Sequence, residues 1–482
     1  MNSRVRDAKI PLIRGRFLVA VFGVALAALA TLFGWQDGSL TQRYQGAADQ
    51  IIQAALKDEE GWEKLVYLCD RIGHRLSGSP QLEEAIRWAA GRMRQEGLSN
   101  VATPAVQVPH WVRGRESVRI VAPVERDLPM LGLGGSIGTP AQGIRADVVA
   151  VSSFDELEAL GREKVEGKVV LYDVPYQGYR LTVAYRGQGA SRAASLGAVA
   201  TLLRSVGPVS LQTPHTGAMR YQPDIPKIPS AAITIEGSTH IRRLIEAGQT
   251  VRVHLFMEAK TLPDAESHNL IAEIPGSEKP EEVVVLGGHF DSWDVGHGAH
   301  DDGAGCIASW QAVSLIHKLG LKPRRTIRVV LWTNEENGLR GGNAYRDWVG
   351  EAVHNHVAAI EMDGGSEKPA GFGFTMPLDG IPGGQDTVVE KMAPIARLLD
   401  PIGAGMIRWG GGGADIGPLM RQGVPGFAHR TVGEKYFHWH HTRADTLDKI
   451  DKDDFRKNTA MLAVLAYVLA DMPEPLKEYV RH

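Results

Sequence analysis

Cysteine is nearly absent: the chain has two in 482 residues, Cys69 and Cys306, far apart in sequence. A disulfide scaffold is thereby excluded, and a chain of this length builds a core without such staples. Two buried thiols are expected. A surplus of either charge is missing too, with 53 Lys and Arg against 56 Asp and Glu and a formal net charge of -3. Neither nucleic acid nor an anionic membrane surface is therefore an expected partner. Serine chemistry has little to stand on, and Ser292 and Ser309 are read as polar or packing residues.

One long apolar run is present, Phe17 to Trp35, preceded by Arg4, Arg6, Lys9, Arg14 and Arg16. It has about the length that spans a bilayer, and positive charge ahead of it keeps the N-terminus cytoplasmic. Residues 1–36 are thus expected to be a signal peptide or an N-terminal anchor, with the rest exported to the periplasm or beyond. Membrane contact is expected only through this segment. With no cysteine beside the run and no twin-arginine pair, plain secretory export is the reading.

At roughly 100 to 200 residues per domain, two or more domains are expected. Residues 44–73 and 81–97 read as amphipathic helices, the second capped by Ser79 with Pro80 at its first position. From about Ala146, short β-branched runs (ADVVAVSS, GKVVLYDV, VATLLRSV, SAAITI, VRVHLFMEA) alternate with helix candidates at GASRAASLGA and STHIRRLIEAG, and this block carries no cluster of candidate ligands. From Ser267 the rhythm is that of an α/β sheet: NLIAEI, EEVVVLGG, TIRVVLWT and HVAAIEM, separated by helix-length segments. One of these, CIASWQAVSLIHKLG, predicts a helix with Cys306, Ile307, Trp310 and Val313 near one face.

Chemistry-bearing residues fall just past the ends of those strands. His289 and Asp291 follow EEVVVLGG, Glu335 and Glu336 follow TIRVVLWT, Asp363 follows HVAAIEM, and YFHWHHTRADT (436–446) follows VPGFAHR. Open α/β sheets bind ligands along that carboxyl edge, so distant segments converge there. Adjacent Glu335 and Glu336 point different ways, which suits one to ligate metal and the other to handle protons. Asp291, two residues after His289, suits a carboxylate that orients the His ring from behind. Asp301-Asp302 opens a helix, where one Asp caps and its neighbour is free to bridge metals. Carboxylates mixed with imidazoles, and no thiolate among them, point to zinc or another first-row divalent ion.

GGHFDSWDVGHGAHDDGAG (287–305), LWTNEENGLRGG, EMDGG and HHTRADT, in this order, resemble the co-catalytic dizinc aminopeptidase and carboxypeptidase family. RIGHRLSGSPQLEEAI, VPHWVRGRESV and PHTGAMRYQPDIPKIPSAAIT are similar to runs of a carboxypeptidase branch of it, and the resemblance covers nearly everything after the leader. It implies an α/β fold: a twisted mixed β-sheet sandwiched by helices, the zinc exopeptidase fold, in two parts (44–126 and 263–482) with a protease-associated domain inserted at 127–262. It implies two Zn2+ per chain, one held by His289, Asp363 and a bridging Asp301, the other by Glu336, His441 and Asp301. Glu335 becomes the general base and Asp291 the residue that orients His289.

His438, His440 and His441 compete for the last ligand position, and the family's His-Thr-x-x-Asp pattern selects His441. His440 beside it is then a candidate to polarise the substrate carbonyl. The resemblance further implies a cis Asp301-Asp302 peptide, a substrate-side loop at GGGGADIGPLMRQGVPG with Asp415 at its acidic position, and a homodimer. His300 departs from the family pattern, where an apolar or small residue is frequent. The expected function is an exported dizinc exopeptidase acting on short peptides, foremost dipeptides with free termini. A broad aminopeptidase is the alternative, and a metal-free binding scaffold is the reading from another class. Arg340, Arg408 and Arg443 each lie near a motif, and the sequence does not choose among them as the anchor for a substrate carboxylate.

Overall fold

The computed structural model describes residues 40–209 and 211–481. The expected leader lies outside the described residues, among which no helix is long and apolar enough to cross a membrane. The N-terminal helical stretch comes as two helices, 40–56 and Glu60–Tyr67, because Lys57, Asp58 and Glu59 interrupt it. Helix α1 (Pro80–Gln95) begins as expected: Ser79 Oγ accepts from the Leu82 N–H and Pro80 fills the first turn.

The first sheet has eight strands: β1 (Ser99–Ala102), β2 (Leu270–Ile274), β3 (Lys279–His289), β4 (Arg325–Trp332), β5 (His356–Glu361), β6 (Pro369–Thr375), β7 (Met406–Trp409) and β8 (Gly426–Thr431). Their order is β1-β2-β4-β3-β5-β8-β6-β7. The central four, β4, β3, β5 and β8, are parallel, with His289 opposite Trp332, Gly287 opposite Glu361, and Glu361 opposite Ala428. All four therefore end on one edge, and the chain leaves each end into one of the segments the sequence singled out. β2 and β6 run antiparallel to their central neighbours, so the sheet is mixed.

Helices α2 (Ala304–Lys318) and α3 (Lys452–Asp471) pack together on one face. The segment forms the expected helix with Cys306, Ile307, Trp310 and Val313 buried, and every other residue from Ala304 to Ile316 is buried too, because α3, the helix Glu60–Tyr67 and the sheet surround it. Cys306 lies inside this core as a free thiol, and so does Cys69. On the other face Val283, Val285, Val330 and Trp332 pack against Tyr345, Ile416 and Leu419.

A second eight-stranded sheet is formed within residues 116–257. It begins earlier than the residue 127 read from the sequence, since strand Glu116–Ala122 pairs antiparallel with Arg252–Met257 inside it. Hydrogen bonding across that pair places residues 116–122 with the second sheet, ahead of the start at 127 that the resemblance implied. An antiparallel ribbon, Ala105–Val112 with Lys260–His268, carries the chain between the two sheets.

Candidate metal centre

Two glycines shape the end of β3. A Cβ at Gly287 would stand 1.8 Å from the Val330 carbonyl oxygen, and one at Gly288 would stand 2.0 Å from Asp302 Oδ2. Asp302 uses the room Gly288 leaves: Oδ2 accepts from the His289 N–H at 3.1 Å and Oδ1 from the Gly305 N–H at 3.2 Å, capping the segment that becomes α2. Its neighbour is left to face the cleft. The Asp301-Asp302 peptide is cis, as the resemblance implied.

Asp301 sits between two imidazoles, with Oδ1 3.1 Å from His289 Nε2 and Oδ2 3.2 Å from His441 Nε2. His289 Nε2 is 3.5 Å from Asp363 Oδ1, and His441 Nε2 is 3.0 Å from Glu336 Oε2. His289, Asp301, Glu336, Asp363 and His441 thus converge, each from a different segment. His440 Nε2 lies 3.6 Å from Asp301 Oδ2, its ring stacked on that of His441. His438 is not among the converging side chains.

The backing of the cluster differs in one respect from expectation. His289 Nδ1 meets the carbonyl of Asp291 at 3.0 Å, while the Asp291 carboxylate stands 3.8 Å away. That carboxylate is committed elsewhere: it accepts the N–H groups of Glu335 and Glu336 at 3.0 and 3.3 Å and the Ser77 hydroxyl at 3.1 Å. Asp445 acts similarly on the other side, accepting from the N–H groups of His300 and Asp301 at 2.7 and 3.1 Å. His300 is a buried structural residue whose Nδ1 accepts from the Ser366 N–H, so its Nε2–H faces the Lys449 carbonyl.

Burial and the crowding of acids move the carboxyl groups here. Burial, joined by the charges of Asp363, Glu336 and Asp291, holds Glu335 well above the usual carboxylate range. Burial and the Asp301 charge push Glu336 up to about 7. Burial lowers the imidazole of His440, and the neighbouring His441 lowers it further. Asp301 Oδ2 and Glu336 Oε1 are buried and accept no hydrogen bond. Carboxylate oxygens left bare among imidazoles in a buried cluster call for a cation, and this oxygen and nitrogen donor set fits divalent first-row ions. Asp302 lies close enough to ligate as well, but both its oxygens are spent on backbone N–H groups.

A cavity of about 460 Å³ opens above the cluster, lined by Asp301, Glu335, Glu336, Asp363, His440 and His441 on one side. Tyr179, Arg186, Met219 and Arg220 of the second-sheet region line the other. None of Arg340, Arg408 and Arg443 lines it, and Arg340 is taken up by Asp264 at 2.6 Å. Sequence reading missed Arg186 and Arg220 because nothing local ties residues 186 and 220 to an edge formed mainly by residues 289–441. Asp415, expected on a substrate-side loop, is fully buried with both carboxylate oxygens unpartnered and lies outside the cavity wall. Gly134-Gly135-Ser136-Ile137-Gly138 has the spacing of a nucleophile elbow, but Ser136 is buried, with its Oγ bonded to the Ile137 carbonyl and the Ser230 N–H.

Residues 269–466 match the model of peptidase family M28. Carboxypeptidase Q of Mus musculus is 43% identical over 436 residues, covering 90% of this chain and 91% of the mouse protein. The chain belongs to peptidase family M28. Human carboxypeptidase Q is 43% identical over 415 residues, 86% of each chain. The crystal structure of a peptidase M28 precursor from Shewanella amazonensis superposes with a TM-score of 0.85 at 33% identity, covering 90% of this chain and 98% of the other. The M28 match includes every converging side chain described above, and this M28 peptidase adds to it the second sheet, which lies outside the matched residues.

Proposed function

We propose that this M28 metallopeptidase is an exported dizinc exopeptidase that hydrolyses short peptides, foremost dipeptides with both termini free. His289, Asp301 and Asp363 would hold one zinc ion, and Asp301, Glu336 and His441 the other. When bound, the ions supply Lewis acidity, drawing the pKa of a water towards neutrality and polarising the scissile carbonyl. Glu335 is the general base. Its carboxylate takes the proton of the attacking water and passes it to the leaving amine. His440, at the cavity wall beside His441, donates to the substrate carbonyl oxygen as negative charge develops there.

Residues 116–257 act as a protease-associated domain that roofs the cavity and limits what enters. A volume of about 460 Å³ suits a small ligand. The observation that carries the free-terminus reading is Arg220. It lines this acidic cavity, pairs with no carboxylate among the described residues, and is held at its base by an Arg220 N–H to Gly187 carbonyl bond of 3.1 Å. Arg186, the other cation of the wall, is consumed by internal bonds. Arg220 receives the substrate's terminal carboxylate, which favours a carboxypeptidase or dipeptidase over an aminopeptidase. Turnover of free, C-terminally amidated and N-acetylated dipeptides tests this. Amidation abolishing cleavage supports it, whereas cleavage that survives amidation and is lost on acetylation makes the enzyme an aminopeptidase.

A further inference from the structure

One residue of the cluster is gripped by the second-sheet region rather than by the catalytic sheet. The Thr216 N–H donates to the His441 carbonyl at 2.9 Å, and the Thr216 carbonyl stands 3.3 Å from His441 Nδ1. Thr216, acting as one unit through the N–H and the carbonyl on either side of its Cα, thus holds both the backbone and the ring of His441. Arg186 locks that unit: its Nη1 donates to the Thr216 carbonyl at 3.2 Å, its Nε to the Ala218 carbonyl at 3.2 Å and its Nη2 to the Tyr179 hydroxyl at 2.7 Å. The same Nη1 lies 3.2 Å from His441 Nδ1. The guanidinium rests on the bare face of Gly217, where a Cβ would stand 2.2 Å from Nη1 and the backbone has φ +132°. Only glycine leaves that room.

A guanidinium donates and never accepts, so of the two neighbours of His441 Nδ1 only the Thr216 carbonyl takes a proton from it. Ligation through Nε2, which faces Asp301 and Glu336 at 3.2 and 3.0 Å, needs the proton on Nδ1, and the Thr216 carbonyl is the acceptor that holds it there. We propose that Thr216 and Arg186 are positioning residues for His441, so that the roof domain, besides covering the cavity, completes the metal position made by Asp301, Glu336 and His441. The proposal rests on the dizinc reading given above. Partners that orient a ligating imidazole are worth about 10- to 100-fold in metal affinity.

The test is zinc affinity, read by chelator competition with metal counted per chain, and the visible spectrum of the cobalt-loaded protein. Arg186→Met and Gly217→Ala are each expected to leave one zinc at wild-type affinity and to weaken the other by about 10- to 100-fold, with a changed cobalt spectrum. Tyr179→Phe, which spares the bonds to residues 216 and 218, is expected to leave both unchanged. Arg186→Lys, which keeps one donor near the Thr216 carbonyl, covers the case in which the first two variants fail to fold, and it is expected to show the same selective loss in milder form. Two zincs at wild-type affinity in folded Arg186→Met or Arg186→Lys would overturn the proposal. A wild-type chain that binds no second zinc would instead remove the dizinc reading itself, and the proposal with it.

Discussion

His289 Nδ1 lies 3.0 Å from the carbonyl oxygen of Asp291, whose carboxylate is turned away to hold the N–H groups of Glu335 and Glu336. Asp291 therefore ties the end of β3 to the turn after β4 and sets both glutamates at once. In Asp291→Asn an amide NH2 must face one of those two N–H groups. We expect turnover to fall about 10- to 100-fold with zinc content retained. Steady-state kinetics alongside metal analysis check this, and loss of zinc with the His289 contact broken would assign Asp291 the ring-orienting role instead.

Gly288 is silent chemically but gives Asp302 its place. A methyl there would stand 2.0 Å from Asp302 Oδ2, so Gly288→Ala is expected to push the Asp302 carboxylate off the His289 N–H and to disturb Asp301 beside it. The expected outcome is a folded protein with reduced zinc content. Circular dichroism and metal analysis on one sample separate this from simple unfolding.

His429 gives the fold a pH dependence away from the metal cluster. Burial holds its imidazole down to about 4, with its Nε2 2.7 Å from Asn458 Oδ1. An unfolded histidine titrates near 6.5. Between those values the unfolded chain binds a proton that the native chain refuses, so stability is full above about 6.5 and is lost as pH falls towards 4, by about 3 kcal/mol. Denaturant midpoints across that window should fall less steeply in His429→Gln than in the parent; identical slopes would mean that His429 is protonated in the native state.

Arg325 ties the chain's end to the sheet. Fully buried at the start of β4, it pairs with Glu282 and donates to the carbonyl of Met472 at 2.5 Å and that of Pro473 at 3.3 Å, just beyond the end of α3. Arg325→Met leaves those carbonyls unpaired, at a cost of about 3 kcal/mol. Thermal unfolding should show it, with zinc content and turnover at permissive temperature unchanged.

The edge of the catalytic sheet was legible in the sequence because parallel strands write themselves as short β-branched runs, and ligands on such sheets follow the strand ends. Hence the sequence places His289, Glu335, Glu336 and Asp363 at strand ends, and it expects one of Asp301 and Asp302 to cap the helix that follows, which in the structure is Asp302. What could not be read is whatever depends on how two sheets meet. The strand Glu116–Ala122 joins the second sheet through a partner some 135 residues away, so nothing local in the sequence marks it as part of that sheet. Arg186 lies in no run that carries the resemblance, and Thr216 and Arg220 lie in one, PHTGAMRYQPDIPKIPSAAIT, that says nothing of a role; their meaning comes from the contact of this segment with His441. The buried perimeter of α2 escaped the helical pattern because three separate elements cover it.

The most direct test of the account is zinc counted per chain in residues 36–482, in the wild type and in Glu335→Gln, with turnover of a free dipeptide on the same samples. Two zincs are expected in both proteins, with a loss of turnover of about 10²- to 10⁴-fold in the variant, the size expected when a general base is removed from an intact site. Fewer than two zincs in the wild type, or a variant that turns over normally with both zincs bound, would contradict it.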